Sequence, residues 1–508
     1  MKKRIINKKR GVRAYSIYFL IISYFVAQVS ACKNNAEVPV SDQFKSTLAK
    51  TSANWQLFID DRWIANSTNI TSKLHQPERH NDNPLIRADV PWEENPYCFG
   101  TVIFDEQDSI FKFWYQSYNH KAEIKEKTPV LYSTSKDGIN WVRPKLGVNE
   151  YKGSTENNIV LHNYGFHDLY SPSVLKDNKD PDPAKRYKMI WWDFPLGKEG
   201  YQDDGMCVAF SPDGIHWTKH DGNPVLSAHK TAQSISDVMS LMQDGKTGKF
   251  VAYTKGWAEP WPAFRQIVRI ESSDLINWSE PEVVISHKFD MEDPQSYGMT
   301  VSQYGNSFIG LLQSYKKPGD ETIDIQLAVS HDNKKWERVA NQQTFLPLGK
   351  TNSWDDGMVF CAPVFNHGDK TLIYYGGWDN THDSKVRQSG IGLATLRLNG
   401  FVSLNADQEL ATITTKYIQN ADGPLIINAD ASNGLLRAEL IDAEGNTIPG
   451  YSLEDCLPID KDGTIQTVRW EKHSELPKNE NTFSIKFEMV NTELYGFFAG
   501  TEAKRSNE

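Results

Sequence analysis

Ser211-Pro212-Asp213-Gly214-Ile215-His216-Trp217 is one of four copies of a single pattern, Ser-x-Asp-x-x-x-Trp, and the spacing of those copies decides the fold. The others are Ser135-Lys136-Asp137-Gly138-Ile139-Asn140-Trp141, Ser272-Ser273-Asp274-Leu275-Ile276-Asn277-Trp278 and Ser330-His331-Asp332-Asn333-Lys334-Lys335-Trp336. The four tryptophans are 76, 61 and 58 residues apart, and four of the chain's 15 in one register mark an internal repeat. Each copy follows a run of strand character, at 129–133, 206–210, 266–270 and 325–329. Asp-Gly or Asp-Asn then supplies a tight turn, because these residues tolerate positive φ and bond their own backbone. The copy therefore marks an outer hairpin whose Ser and Asp satisfy turn amides. Its Trp is read as an apolar plug between neighbouring hairpins rather than as a sugar-stacking platform.

Further strand runs fall between the copies, at 99–105, 110–116, 187–192, 249–253, 299–303, 307–312, 358–365 and 371–375. A period of about sixty residues carrying four strands is that of a β-propeller blade. A fifth unit runs from 358 to 402, with Gly400-Phe401 in place of the Trp pattern, and residues 55–65 (WQLFIDDRWIA) are expected to supply the strand that closes the ring. After Leu404 the pattern stops, and short strands with polar turns predict a β-sandwich. The expected fold is all-β: a five-bladed β-propeller over 55–403 followed by a C-terminal β-sandwich over 404–508.

The N-terminus is different in kind. Residues 1–31 carry seven basic side chains and no acidic one, and lead into the apolar run 14–29 with Ser30 and Ala31 behind it. This is the form of a secretory signal. Val29-Ser30-Ala31-Cys32 resembles a bacterial lipobox, which implies a signal peptide over 1–31, lipidation at Cys32 and a polar tether over 32–54. An uncleaved anchor and release after secretion are the alternatives. The expected location is the cell envelope, at the outer membrane or periplasmic face, with the membrane reached through the lipid. Removing the seven charges moves the formal charge from −10 to −17, which argues against a nucleic-acid partner. Cys98, Cys207, Cys361 and Cys456 show no metal spacing; they are open to disulfides or to burial as free thiols, and no metal or other cofactor is expected.

The repeat, together with Leu57-Phe58-Ile59-Asp60-Asp61, His75-Gln76-Pro77, Asn83-Pro84 and the run from Gly392 to Phe401, resembles the five-bladed propeller glycoside hydrolases. That is the β-fructosidase and arabinanase-like superfamily, and especially its exported group similar to family 32. The resemblance spans roughly residues 55–500. It implies a carbohydrate-active enzyme with one acid in each of blades 1, 2 and 3, serving as base or nucleophile, orienter and proton donor. Carried over by position, these are Glu94 (or Glu93), Asp168 and Asp237. Blade 1 thus has Glu where the pattern has Asp, and blade 3 has Asp where it has Glu.

In a propeller the innermost strands point their leading ends at one axial funnel, so polar residues there are the candidates for chemistry. Besides the three acids these are His167, Asp293, Tyr297 and Asp356. Arg265, His382 and Arg387 suit a carboxylate or sulfate on the sugar, and Trp257 and Trp261, in a Pro-rich stretch, are stacking candidates. The simplest reading is an exo-acting glycoside hydrolase working on oligosaccharides from plant or algal polysaccharide, with uronic acid or sulfate as the anionic group such cations would suit. A second is a lyase or dehydratase performing β-elimination at a non-reducing-end uronic acid, as in ulvan-type oligosaccharides, with His167, Tyr97 or Tyr170 taking the C5 proton. A third is a non-catalytic glycan-binding propeller.

Overall fold

The computed structural model describes residues 49–50 and 55–500, apart from 196, 198–203, 229–230, 232, 259–263, 287–293, 318, 420 and 479–481. The signal, Cys32, nearly all of the tether, Trp261 and Asp293 lie outside the described residues. What is described is almost entirely β-structure.

Mainly antiparallel sheets of four or five strands succeed one another along the chain, the last two joined by a parallel contact between Ile323 and Met358. Blade 1 is Pro96–Asp105, Ile110–Ser117, Val130–Ser135 and Ile159–Leu161. Blade 2 is Tyr170–Lys176, Tyr187–Asp193, Gly205–Ser211 and Thr218–Lys219; blade 3 is Met239–Gln243, Phe250–Ala258, Phe264–Ser272 and Glu282–Ile285. Gln295–Tyr304, Ser307–Tyr315 and Ile323–Ser330 build blade 4, with short outer strands Glu337–Arg338 and Thr344–Leu346. Blade 5 has Met358–Cys361, Lys370–Trp378 and Ser389–Arg397, and its outer strand is Glu78–Arg79 from the N-terminal side, pairing Arg79 with Ala394.

The repeated pattern builds one turn four times. In the first copy the Ser135 hydroxyl accepts from the amide of Gly138 at 2.9 Å, and Asp137 Oδ1 accepts from the amides of Ile139 and Asn140 at 2.9 and 2.8 Å. The residue after the Asp takes positive φ in every copy: +74 at Gly138 and +81 at Gly214, where glycine does so freely, and +67 at Leu275 and +63 at Asn333. The tryptophan that follows is placed between blades. Trp141 packs on Phe113 of its own blade and on Tyr374 of blade 5, at 5.3 and 5.7 Å between centroids, and Trp336 meets Tyr253 of blade 3 edge-on at 5.5 Å. Trp217 and Trp278 pack against the cores shared by blades 1 and 2 and by blades 2 and 3. These tryptophans hold the ring together and do not face its axis.

The sandwich is two six-stranded sheets. One holds Ile64–Thr68, Ala411–Thr415, Thr482–Val490, Ile418–Gln419, Leu435–Ile441 and Ala49–Lys50; the other holds Gln56–Leu57, Ile70–Leu74, Val402–Ala406, Thr492–Ala499, Leu425–Asp430 and Asp462–Thr467. Their shared core includes Phe58, Trp63, Ile413, Ile427, Phe487 and Phe497. The stretch 55–65, expected to close the ring, therefore belongs to the sandwich, where Gln56 pairs with Phe497. The reason is hydrophobic: Phe58 and Trp63 stack on Phe497 at 5.7 Å each and find their burial there. Cys98, Cys207, Cys361 and Cys456 are buried free thiols.

Candidate active site at the propeller axis

Where the inner strands of the five blades begin, their side chains enclose a cavity of about 240 Å³. Its wall is aromatic: Tyr97 and Phe99 from blade 1, Tyr118 from the loop behind it, Tyr170 from blade 2, Tyr297 from blade 4, and Phe360 and Trp378 from blade 5. Asp237, His382 and Arg387 are the charged or titratable groups other than tyrosine that line it. Gln116 fixes one side, accepting from the Tyr97 hydroxyl at 2.8 Å and donating to the Leu169 carbonyl at 2.5 Å.

The two axial aspartates are both matched by lysines. Asp168, buried, accepts at Oδ2 from Tyr118 and Tyr170 at 3.2 and 3.3 Å, and Lys127 Nζ lies 3.2 Å from the same oxygen. Its Oδ1 is buried with no hydrogen-bond partner. Asp237 accepts from Ser236 at 2.7 Å and pairs with Lys255 Nζ at 2.6 Å. Burial alone would raise the Asp237 pKa, but the Lys255 ammonium prevails and holds it below the usual carboxylate range. Burial and the charge of Asp168 push the Tyr170 phenol up.

On the opposite side stands a chain of proton carriers. The Tyr297 hydroxyl is 3.0 Å from His382 Nε2, His382 Nδ1 is 2.6 Å from Asp383 Oδ1, and Lys317 Nζ donates to Asp383 Oδ2 at 2.7 Å. Burial lowers the His382 pKa and Arg265 and Arg387 lower it further, against the opposing pull of Asp383. Lys255 lies 4.7 Å and Arg265 5.4 Å from the centre of the Tyr297 ring. Arg387 stacks on Trp378 at 4.8 Å and donates to the His382 carbonyl at 2.5 Å. Neither Arg265 nor Arg387 has a carboxylate partner among the described residues.

The sequence candidates thus fall into two groups. Asp237, His382 and Arg387 meet in the cavity wall, and Asp168 stands directly behind Tyr118 and Tyr170. Arg265 lies behind Tyr297, over the Trp257 ring at 5.0 Å and bonded to Gln295 at 3.0 Å. His167 accepts the Asp168 amide at Nδ1 and packs on Phe194 at 4.4 Å. Glu94 is outside the cavity wall, with its carboxylate 3.4 Å from the Lys121 amide. Its neighbour Glu93 is buried in a bidentate pair with Arg143, at 2.7 to 3.0 Å, and accepts from Tyr115 at 2.6 Å. Asp356 caps the Asn352 amide at 2.6 Å, outside the wall. Lys127, Lys255 and Asp383 were not anticipated. Only Lys255 left a sequence signal, as a cation inside the otherwise apolar and aromatic run FVAYTKGWA.

No family model matches the sequence. A search of curated proteins gives no match. Among solved structures, the chain is similar to a protein titled glycoside hydrolase, at 15% identity and TM-score 0.45, over 63% of this chain and 92% of that one. It is also similar to an N-acetylgalactosamine deacetylase from F. plautii in complex with blood group B trisaccharide, at 15% and 0.42, over 65% and 95%. A β-1,2-mannobiose phosphorylase from Listeria innocua, in complex with β-1,2-mannobiose, matches at 12% and 0.44, over 66% and 98%. At these values the likenesses do not say what this chain binds or transforms.

Proposed function

We propose that the chain is an exported, lipid-anchored, carbohydrate-active enzyme that takes the non-reducing end of an anionic plant or algal oligosaccharide into the axial cavity, and that its reaction is β-elimination at a terminal uronic acid. The observation that carries the reading is the Tyr297 hydroxyl on His382 Nε2 beside Arg387, which has no carboxylate partner among the described residues, in a cavity whose one lining carboxylate among those residues, Asp237, is already neutralised by Lys255. Hydrolysis needs a carboxylic acid that keeps its proton near neutral pH. Asp237, the positional counterpart of the proton donor, is instead held as the anion. The cavity is smaller than ordinary ligand clefts of roughly 300–1,000 Å³, which suits one terminal ring and an exo action.

In the elimination, Arg387 binds and neutralises the uronate carboxylate, acidifying the proton on C5. Tyr297, its own proton passed to His382, takes the C5 proton; the C5–H electron pair forms the C4–C5 double bond. The C4–O bond breaks as that double bond forms, and the departing oxygen takes the proton held on His382, leaving as water from a terminal hydroxyl and returning the imidazole to its neutral form. Lys255 and Arg265 face the Tyr297 ring and stabilise the transient phenolate.

A second reading, hydrolysis, is favoured by one specific observation: Asp168 Oδ1, buried with no hydrogen-bond partner among the described residues, is the type of oxygen that could meet a reacting group. Incubation with uronic-acid-terminated oligosaccharides separates the two. Elimination produces absorbance near ~230 nm from the conjugated acid, whereas hydrolysis produces new reducing ends without it. Binding with neither product would leave the glycan-binding reading. Cys32→Ala should move the protein from the membrane to the soluble fraction if the lipid anchor is correct.

A further inference from the structure

A neutral imidazole carries one proton on one of two nitrogens, and its partners decide which. His382 stands between two partners of opposite demand. Tyr297 can donate to Nε2 only if that nitrogen is bare. On the other side Asp383 Oδ1, at 2.6 Å, accepts and cannot donate while ionised, so it requires the proton on Nδ1. Lys317 Nζ reaches from the blade 4 loop to the second oxygen at 2.7 Å. The same loop holds the His382 backbone, whose amide donates to the Glu321 carbonyl at 3.2 Å.

We propose that Asp383 is a positioning residue that fixes His382 in the Nδ1–H tautomer, so that Nε2 is the atom that receives the Tyr297 proton. Asp383 touches neither the cavity nor any sugar placed in it; it acts through the imidazole. Its hydrogen bonds to Lys317 and His382 hold its carboxyl well below the usual range, so it stays ionised wherever the enzyme works. The other groups facing the ring are Tyr297 and Tyr315, at 5.2 and 5.1 Å between centroids, with Arg265 and Arg387. The two arginines keep the ring neutral before the transfer, and Asp383 stabilises the imidazolium after it.

This inference rests on the proton-transfer reading of Tyr297 and His382, and the test separates the two. The full chain labelled with ¹⁵N-histidine is examined by long-range nitrogen–proton spectra, with His382→Gln identifying the signal. Wild type should show the Nδ1–H form, Asp383→Ala should lose the preference, and Asp383→Glu should restore it. Lys317→Met, which breaks the loop-to-loop pair and leaves the carboxylate beside the ring, should keep the Nδ1–H form. With an active substrate, Asp383→Ala should lower kcat about 10–100-fold, as loss of a supporting partner of a functional His does, with KM within about two-fold. An Nε2–H signal in wild type, an unchanged signal in Asp383→Ala, or the same shift in Lys317→Met would each overturn the role given to Asp383. Full activity in His382→Gln and Tyr297→Phe would instead remove the proton-transfer reading, leaving the tautomer result standing.

Discussion

Replacing Asp237 by Asn, Lys255 by Met, and both together forms a cycle that tests how the axial carboxylate is held. At 2.6 Å the charges attract by about 6 kcal/mol before desolvation, at an effective dielectric of ~20. Removing one partner of a buried pair costs about 3–5 kcal/mol, because the survivor is left buried and unmatched. The Asp237 side chain is 28% exposed, and Lys255 keeps the Tyr297 and Trp257 rings for company, so the low end applies. Each single change should therefore cost about 3 kcal/mol in urea unfolding at neutral pH. The double change should also cost about 3 rather than about 6, a coupling of about 3 kcal/mol. The pH dependence has a definite sign. A carboxylate with a lowered folded pKa stabilises above its unfolded value of about 4, and the gain is lost as pH falls through the lower folded value. Wild type should lose stability over that acid window, and Asp237→Asn should lose less. Single costs that add to within about 0.5 kcal/mol, or an unaltered acid limb in Asp237→Asn, would show a solvated pair and reopen Asp237 as a proton donor.

Three further outcomes follow from the site. Tyr297→Phe removes one hydroxyl and should lower kcat about 10²–10⁴-fold while costing only about 1 kcal/mol in denaturant unfolding; activity within ten-fold of wild type would dismiss Tyr297. Because His382 must be neutral to accept a proton and burial holds its pKa below the ordinary 6.5, the acid limb of the pH-rate profile should lie below 6.5. A pH-rate profile with its acid limb centred above about 6.5 would contradict this. Glu93→Gln should cost about 3 kcal/mol by removing the buried bidentate acceptor of Arg143 and leaving it only the exposed Asp89 at 2.9 Å, whereas Glu94→Gln should cost less than about 0.5 kcal/mol, as chemical denaturation of the two variants will show.

The propeller was legible because its repeat is local: Ser, Asp and Trp of each copy build one turn within seven residues, and local chemistry leaves a mark in local sequence. Ring closure was not. Glu78–Arg79 is two residues long and carries no periodicity, and its pairing is decided by the open edge of Ser389–Arg397. WQLFIDDRWIA looked like a better strand, but Phe58 and Trp63 took it to the sandwich. The same split runs through the site. The positions of Asp168, Asp237, Tyr297 and His382 could be read from blade geometry, but their states could not. Lys127 comes from a loop of the preceding blade, and Tyr297 and His382 are 85 residues apart in sequence. Of the acids read at the strand starts, Asp237 lines the cavity and Asp168 stands behind it, and a lysine beside each changes what those acids can do.

The N-terminal strands also have a consequence for how this molecule must be made. Lys73 bonds Glu493 across 420 residues of chain, and Gln56 pairs with Phe497. Synthesis therefore leaves Gln56–Leu57, Ile64–Thr68 and Ile70–Leu74 waiting for partners that are translated last, a topology of high contact order and slow completion. Deleting the C-terminal hundred residues would not release a free-standing propeller. It would leave Gln56–Leu57 and Ile64–Thr68 without Thr492–Ala499 and Ala411–Thr415, as open edges ready to pair with another chain, so the truncated product should aggregate instead of folding.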